Sequence, residues 1–333
     1  MDVGTLSLGG ALSPITRVRR LFTAGEKGVW YDPSDIGTLF QDSAGTTPVT
    51  AVTQPVGLML DKSKGLVLGP ELVTNGTFDS AVGWTENYDG ANGWRIVGGV
   101  AEHVGTLNTY LTSSYPLTIG KFYKLTCTVT GVVKVESANT GVISLLSGTN
   151  TYIFSATTAF LRFYANAAGT IDNVSFKELP GYHATQVTST ARPTLQQDAN
   201  GKFYLKFDGV DDFMVTPSID FSGTDKMSVF AGVRKLSDAA VAILIESSID
   251  SNTNNGSFSV TSPATVSGNY GFALHGDTAV IGRIATTFNA PITNVITGQY
   301  NIGGADYLTE VLARINGVVP TLSSSGASGA GNF

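Results

Sequence analysis

Four aromatic residues, Trp84, Tyr88, Trp94 and Tyr110, lie close in sequence to Asn87, Asp89, Asn92, Arg95 and Asn108. A saccharide site uses that mixture. An aromatic face stacks on the apolar C–H side of a pyranose, while amide, carboxylate and guanidinium groups hydrogen bond its hydroxyls. Trp84 follows an opening strand, and Trp94 begins an alternating strand that contains Ile96, so both are expected in the core, as is Trp30. The candidate carbohydrate-binding residues are therefore Tyr88, Asp89, Asn92, Arg95 and Tyr110.

Catalytic chemistry finds less to work with. The three histidines, His103, His183 and His275, are isolated from one another in sequence. No Gly-x-Ser-x-Gly elbow is present to carry a nucleophile. The carboxylates Asp32, Glu71, Glu86, Asp89 and Glu136 offer no pair that spacing singles out for glycoside hydrolysis. Gly98-Gly99 and Gly303-Gly304 lack the phosphate-loop spacing and read as turns. The single cysteine, Cys127, shares one face of an alternating strand with Tyr123, Leu125 and Val129, which predicts a buried structural thiol. The expectation is a protein that is not an enzyme and requires no cofactor.

The elements that must position these residues are strands. Of 333 residues only 14% are charged, well below the usual quarter, and 39 are glycine. Many short strands joined by tight turns suit this composition, and long helices do not. The net charge is −6 and the basic residues cluster only at Arg17, Arg19 and Arg20, so nucleic acid is not an expected partner. One cysteine rules out an internal disulfide framework and a thiolate zinc cluster. No apolar run is long enough for a membrane span or a signal peptide, which fits a protein made in the cytoplasm.

Punctuation by Gly, Pro, Asn and Ser divides the chain. Residues 1–20 form an extended N-terminal arm too small to build its own core. Residues 21–65 are a β-like stretch with turns at Gly25, Gly28, Asp32-Pro33 and Ala44-Gly45. Residues 66–180 predict a compact unit with strands at 94–104, 110–111, 122–130, 132–136, 152–155, 159–164 and 170–178. Residues 181–333 predict a second, with strands at 202–208, 227–234, 240–247, 257–260, 270–274 and 309–315. Within 202–208, Phe203, Leu205 and Phe207 share a face. No fixed repeat supports a solenoid. The fold class is all-β, with two β-sandwich or jelly-roll domains.

Several ordered phrases resemble the laminin-G or concanavalin-A-like modules of phage structural proteins. They are Gly28-Val-Trp-Tyr-Asp-Pro-Ser-Asp35, Leu39-Phe-Gln-Asp-Ser-Ala-Gly-Thr46, Gly57-Leu-Met-Leu-Asp-Lys-Ser63, His183-Ala-Thr-Gln186, Ala191-Arg-Pro-Thr194 and Phe207-Asp-Gly-Val-Asp-Asp-Phe213. In such proteins the Leu-Asp-Lys-Ser phrase runs almost directly into the His-Ala-Thr-Gln phrase, whereas here 66–180 intervenes. That intervening piece opens with Glu71-Leu-Val-Thr-Asn-Gly-Thr-Phe-Asp79 and Gly83-Trp84 and closes with Ile171-Asp-Asn-Val-Ser-Phe176. It resembles a jelly-roll carbohydrate-binding module of the kind that accompanies glycoside hydrolases. The two resemblances imply a discontinuous sandwich, 21–65 with 181–333, into which 66–180 is inserted. Lys64 and Tyr182 should then lie near each other. Modules of the first family usually continue past the Gly-rich 323–332 region, so this sandwich is expected to be incomplete, to take its final strands from another chain, or to end on an open edge.

Both families often hold calcium, which implies structural calcium at Asp208, Asp211 and Asp212, or where Glu71, Asp79 and Asp172 would converge. The resemblance further implies a virion protein of the tail-fibre or adhesin type that displays lectin-like modules to host surface glycans. Its arm would contact other virion proteins, and the chain is expected to form a homo-oligomer, a trimer by class. Three alternatives stay open: a capsid decoration or head-fibre protein, an architectural tail or baseplate component without glycan binding, and an accessory carbohydrate-binding region of a bacterial glycan-degrading enzyme.

Overall fold

The computed structural model describes residues 18–333 apart from 139–140, 249, 251–252, 266–267, 278–279, 305–306 and 326–329. All but the last three residues of the N-terminal arm, and part of the Gly-rich 323–332 region, thus lie outside the described residues. The protein is all-β and folds as two compact units, one ending at Ile219 and the other spanning Asp220–Phe333. Among the described residues no helix is long and apolar enough to cross a membrane.

In the first unit, β1 (Leu39–Phe40) and β2 (Leu58–Met59) precede a run of eleven strands. These are β3 (Trp84–Thr85), β4 (Asn87–Tyr88), β5 (Gly93–Val97), β6 (Val100–Val104), β7 (Thr109–Pro116), β8 (Phe122–Gly131), β9 (Val133–Ala138), β10 (Gly141–Leu145), β11 (Gly148–Ser155), β12 (Phe160–Ala165) and β13 (Gly169–Glu178). They form a five-stranded sheet, β10-β9-β12-β7-β3, and a six-stranded sheet, β11-β8-β13-β6-β5-β4. The two sheets face each other across a core that includes Trp84, Trp94, Leu111, Leu125, Cys127, Val135, Phe154, Phe163 and Phe176. Alternation dictates this packing. Along β8, Tyr123, Leu125, Cys127 and Val129 are buried while the threonines between them face outward. Burial pushes the Cys127 thiol up to about 12, so it is an inert part of the core.

The stretch 94–104 is a hairpin rather than one strand. Gly98 (φ 63°) and Gly99 (φ 79°) take the left-handed conformation that a two-residue hairpin turn demands. The chain therefore reverses, and Trp94 pairs with His103.

The segments flanking this sandwich join each other. After β14 (Ala184–Thr185), which pairs with β2, come β15 (Thr194–Gln197) and β16 (Phe203–Lys206). Leu195 packs with Leu39, Val49, Val56 and Met59, supported by Phe203 and Leu205. Phe207 lies beyond the end of β16 and is half exposed, so it does not share the inward face of Phe203 and Leu205. The compact-unit boundary at Ile219 and Asp220 falls inside 181–333 because residues 184–215 close on the 39–59 segment, whereas Asp220–Phe333 close on a core of their own.

That second unit is a sandwich of β17 (Lys226–Lys235), β18 (Ile243–Glu246), β19 (Ser257–Thr261), β20 (Tyr270–His275), β21 (Val280–Ala285), β22 (Ile292–Asn301), β23 (Val311–Ile315) and β24 (Leu322–Ser325). Its sheets run β17-β22-β23 and β18-β19-β20-β21-β24, with a short helix over Tyr307–Glu310 at the start of the 309–315 stretch. Strand β22 escapes a hydrophobic-alternation search because two of its inward residues are Asn294 and Gly298. The Asn294 amide is satisfied by donating to the Tyr270 hydroxyl at 3.0 Å.

Candidate functional site

The place where the chain leaves the flanking segments and returns to them is built around one carboxylate. Asp61 is fully buried and accepts hydrogen bonds from the backbone N–H groups of Trp30, Ser63 and Tyr182 at 2.8–3.0 Å, and from the Ser63 hydroxyl. Its own N–H donates to His183 Nδ1 at 2.8 Å, and the Tyr31 hydroxyl donates to the Tyr182 carbonyl. Residues 61–63 and 182–183 are therefore hydrogen-bonded neighbours, although more than a hundred residues separate them. Burial pushes His183 down to about 4, with the Asp61 charge opposing the shift, so its imidazole is neutral near neutral pH. Beside this knot Lys62 is clamped by Asp32 (3.0 Å) and Asp35 (2.7 Å) and sits 4.7 Å from the Trp30 ring centre. Trp30 is thus a half-buried partner of a cation rather than a core residue.

The eleven-stranded sandwich rests on these segments through the outward side of its six-stranded sheet. Phe122, Ile153 and Leu179 pack with Leu58 and Leu60, and the Phe122 ring meets the His183 imidazole edge-on at 4.7 Å. Gly45 makes the close approach possible. It holds φ 62°, and a Cβ there would stand 2.9 Å from Ile153 Cβ. Farther along the same sheet the outward residues include Lys124, Thr126, Thr128 and Thr130 on β8, Thr149 and Thr151 on β11, Thr170 on β13, and the Arg95–Glu102 pair across β5 and β6.

The outward side of the five-stranded sheet differs in kind. Register places Ser144, Lys134, Tyr164 and Tyr110 in one row across four strands, and Val142, Glu136, Arg162, Thr112 and Thr85 in the next. Tyr110 and Tyr164 are tilted against each other, ring centres 5.6 Å apart. The Arg162 guanidinium lies against two rings, 4.5 Å from the Tyr110 centre and 3.9 Å from the Phe160 centre, and pairs with Glu136 at 2.8 Å. Lys134 stands 5.5 Å over Tyr164. Desolvation raises the Tyr164 phenol, so it stays a neutral donor and acceptor at physiological pH. Half-buried aromatic rings beside a fixed guanidinium, a carboxylate and an ammonium supply both the stacking surface and the hydrogen-bonding groups a saccharide requires.

The candidate carbohydrate residues separate into two places. Tyr110 belongs to the aromatic face just described. Tyr88, Asp89, Asn92 and Arg95 lie on the β4–β5 hairpin at the edge of the six-stranded sheet. There Tyr88 donates to the Gly90 carbonyl, Asp89 accepts from Ala91 and Asn92, the Asn92 side chain accepts from Thr106, and Arg95 is held by Glu102. Hydrogen bonding to these backbone donors holds the Asp89 carboxyl below the usual carboxylate range. Tyr88 and Asp89 serve the hairpin's own turn, whereas Asn92 reaches Thr106 and Arg95 pairs with Glu102 on β6 and lies 5.2 Å from the Tyr88 ring centre. The residues that join Tyr110 instead are Phe160, Arg162, Tyr164, Lys134 and Glu136. The signal for three of them was the alternation of Phe160-Leu-Arg-Phe-Tyr164, in which Leu161 and Phe163 turn inward.

Of the carboxylates considered for calcium, Asp208, Asp211 and Asp212 come together with ligand atoms within 4.8 Å of one another. They sit in an exposed turn where Asp208 Oδ1 caps the N–H groups of residues 210–212, and desolvation, with neighbouring negative charge, raises Asp212. Among the described residues Glu71, Asp79 and Asp172 do not form such a group. Glu71 accepts from Ser175 and Phe176 on β13, while Asp79 accepts from Thr77 and Asp172 from Asn173, so the three carboxylates have separate donors.

The histidines are placed as structural groups. His103 has its ring nitrogens against the carbonyls of Ala167 (2.9 Å) and Leu107 (3.0 Å), and His275 lies against the Asn254 carbonyl.

No family model matches the chain, and no curated protein matches it. Among solved structures, the chain is similar to a cupin-superfamily sugar phosphate isomerase from Silicibacter pomeroyi. The identity is 11%, covering 45% of this chain and 93% of that one, with a TM-score of 0.14, too low to carry an argument about fold or activity.

Proposed function

We propose that this chain is a non-catalytic structural component of a phage particle, of the tail-fibre or adhesin type, whose inserted jelly roll binds host surface glycans. One observation carries the glycan reading: the solvent-facing side of the five-stranded sheet groups Tyr110, Tyr164, Phe160, Arg162, Glu136 and Lys134. Its orientation supports display. The sandwich is held to the flanking segments through the outer side of the opposite sheet, so the aromatic face points away from its own support. The virion assignment rests on the phrases at residues 28–63 and 183–213, and the arm is the part assigned to particle attachment, with a trimer as the expected assembly.

The test is a glycan array probed with the full chain, paired with imaging of particles in which this chain carries a tag. Saccharide binding lost in the Tyr110→Ala/Tyr164→Ala double variant, with the tag at the adsorption apparatus, is the expected result. Absence of glycan binding, or a tag confined to the capsid, favours a decoration or architectural role.

A further inference from the structure

The aromatic face also carries a statement about ligand charge, which rests on the glycan-binding reading above. The protein as a whole is acidic, with 26 Asp and Glu against 20 Lys and Arg. The outward side of the five-stranded sheet runs against that balance. It bears two cations, Arg162 and Lys134, and one carboxylate, Glu136. Arg162 is engaged, because its guanidinium is paired with Glu136 at 2.8 Å and lies against the Phe160 and Tyr110 rings. Lys134 is not. Among the described residues its ammonium has no carboxylate partner, and it lies over the Tyr164 ring, 5.5 Å from the centre. A cation–aromatic contact at a half-exposed site is weak, so a ligand that stacks on Tyr164 displaces it at little cost. The ammonium is then left at the edge of the stacked ring.

We infer that this site selects a carboxylate-bearing sugar, a hexuronate or similar acidic residue. Its pyranose ring stacks on Tyr164, its carboxylate meets the Lys134 ammonium, and its hydroxyls reach Arg162, Glu136 and the Tyr110 phenol. A neutral sugar uses the same rings but leaves Lys134 without its partner.

The probes are oligogalacturonate and its methyl ester, which share one backbone and differ in charge. The full chain should bind the acid about fivefold more tightly than the ester at low ionic strength, the factor a partly exposed ion pair supplies. That difference should shrink as salt is added. Lys134→Gln should bring acid and ester to the same affinity, and Lys124→Gln on the opposite sheet should preserve the difference. Equal binding of acid and ester by the parent chain, or a preference that survives Lys134→Gln, overturns the inference while leaving the glycan reading in place. Failure to bind either probe, together with an empty array of acidic and neutral glycans, overturns both.

Discussion

The two outward faces of the eleven-stranded sandwich share one core, one alternation rule and adjoining stretches of chain, yet they do different things. The six-stranded sheet turns Phe122 and Ile153 onto the 58–60 segment at one end, presents threonines along β8 and β11, and carries the Arg95–Glu102 pair beside Tyr88 at its far edge. The five-stranded sheet presents tyrosines, a stacked and paired arginine, and an uncommitted lysine. Backbone pattern decides which residues point outward, and only the identity of those residues separates the docking side from the side proposed for recognition. A face with side-chain groups arranged for a ligand, turned away from the support, is the arrangement display requires.

The strongest way to break the comparison is to remove what both faces share. Trp94 is fully buried and donates its indole N–H to the Thr109 carbonyl at 3.1 Å. Trp94→Ala should cost about 3–5 kcal/mol and lower the melting transition of the first unit, taking both faces with it. A melting curve within a degree or two of the parent's would show that the core is not common to them.

Acid should act on the docking side. His183 is held neutral with its value near 4, against an ordinary 6.5, so the unfolded chain takes up the proton more readily. The contribution is fully present above about pH 6.5 and is lost as pH falls toward 4, by about 3 kcal/mol in all. Protonation also removes the acceptor that Nδ1 offers to the Asp61 N–H. Urea unfolding at several pH values should show this slope in the parent chain, and His183→Gln should flatten it. An unchanged slope in the variant would assign the acid response to other groups.

Substitutions on the two outward faces sharpen the contrast. Tyr164→Ala should weaken saccharide binding about tenfold or more while changing stability by roughly 1 kcal/mol, because a central aromatic anchor carries recognition but sits outside the core. Thr128→Val and Thr149→Val, which face each other across β8 and β11, should alter stability by no more than about 0.5 kcal/mol and leave saccharide binding unchanged.

Much of the fold was legible because the period-2 pattern is strong where one face is buried. Tyr123 to Val129 and Phe160 to Tyr164 show it directly. The two-glycine turn inside 94–104 was legible as a turn but not as the reversal that splits the strand. Strand β22 was not legible, because Asn294 and Gly298 occupy inward positions that only the partner Tyr270 and a close neighbour explain. The candidate site was half legible. Sequence proximity drew Tyr88, Asp89, Asn92 and Arg95 together with Tyr110, but their side chains serve the local turn and the Glu102 pair. Tyr110 finds its partners on β9 and β12, about 25 and 50 residues later in the chain. Cross-strand register makes that site, and register over such separations is set by the closing of the whole sandwich rather than by any local signal.

The most direct test of the proposed recognition face compares two double variants of the full chain for saccharide binding on a glycan array. Tyr110→Ala/Tyr164→Ala should abolish binding, and Thr128→Val/Thr149→Val should bind like the parent. The opposite pattern, or equal loss in both, would contradict the assignment of recognition to the five-stranded sheet.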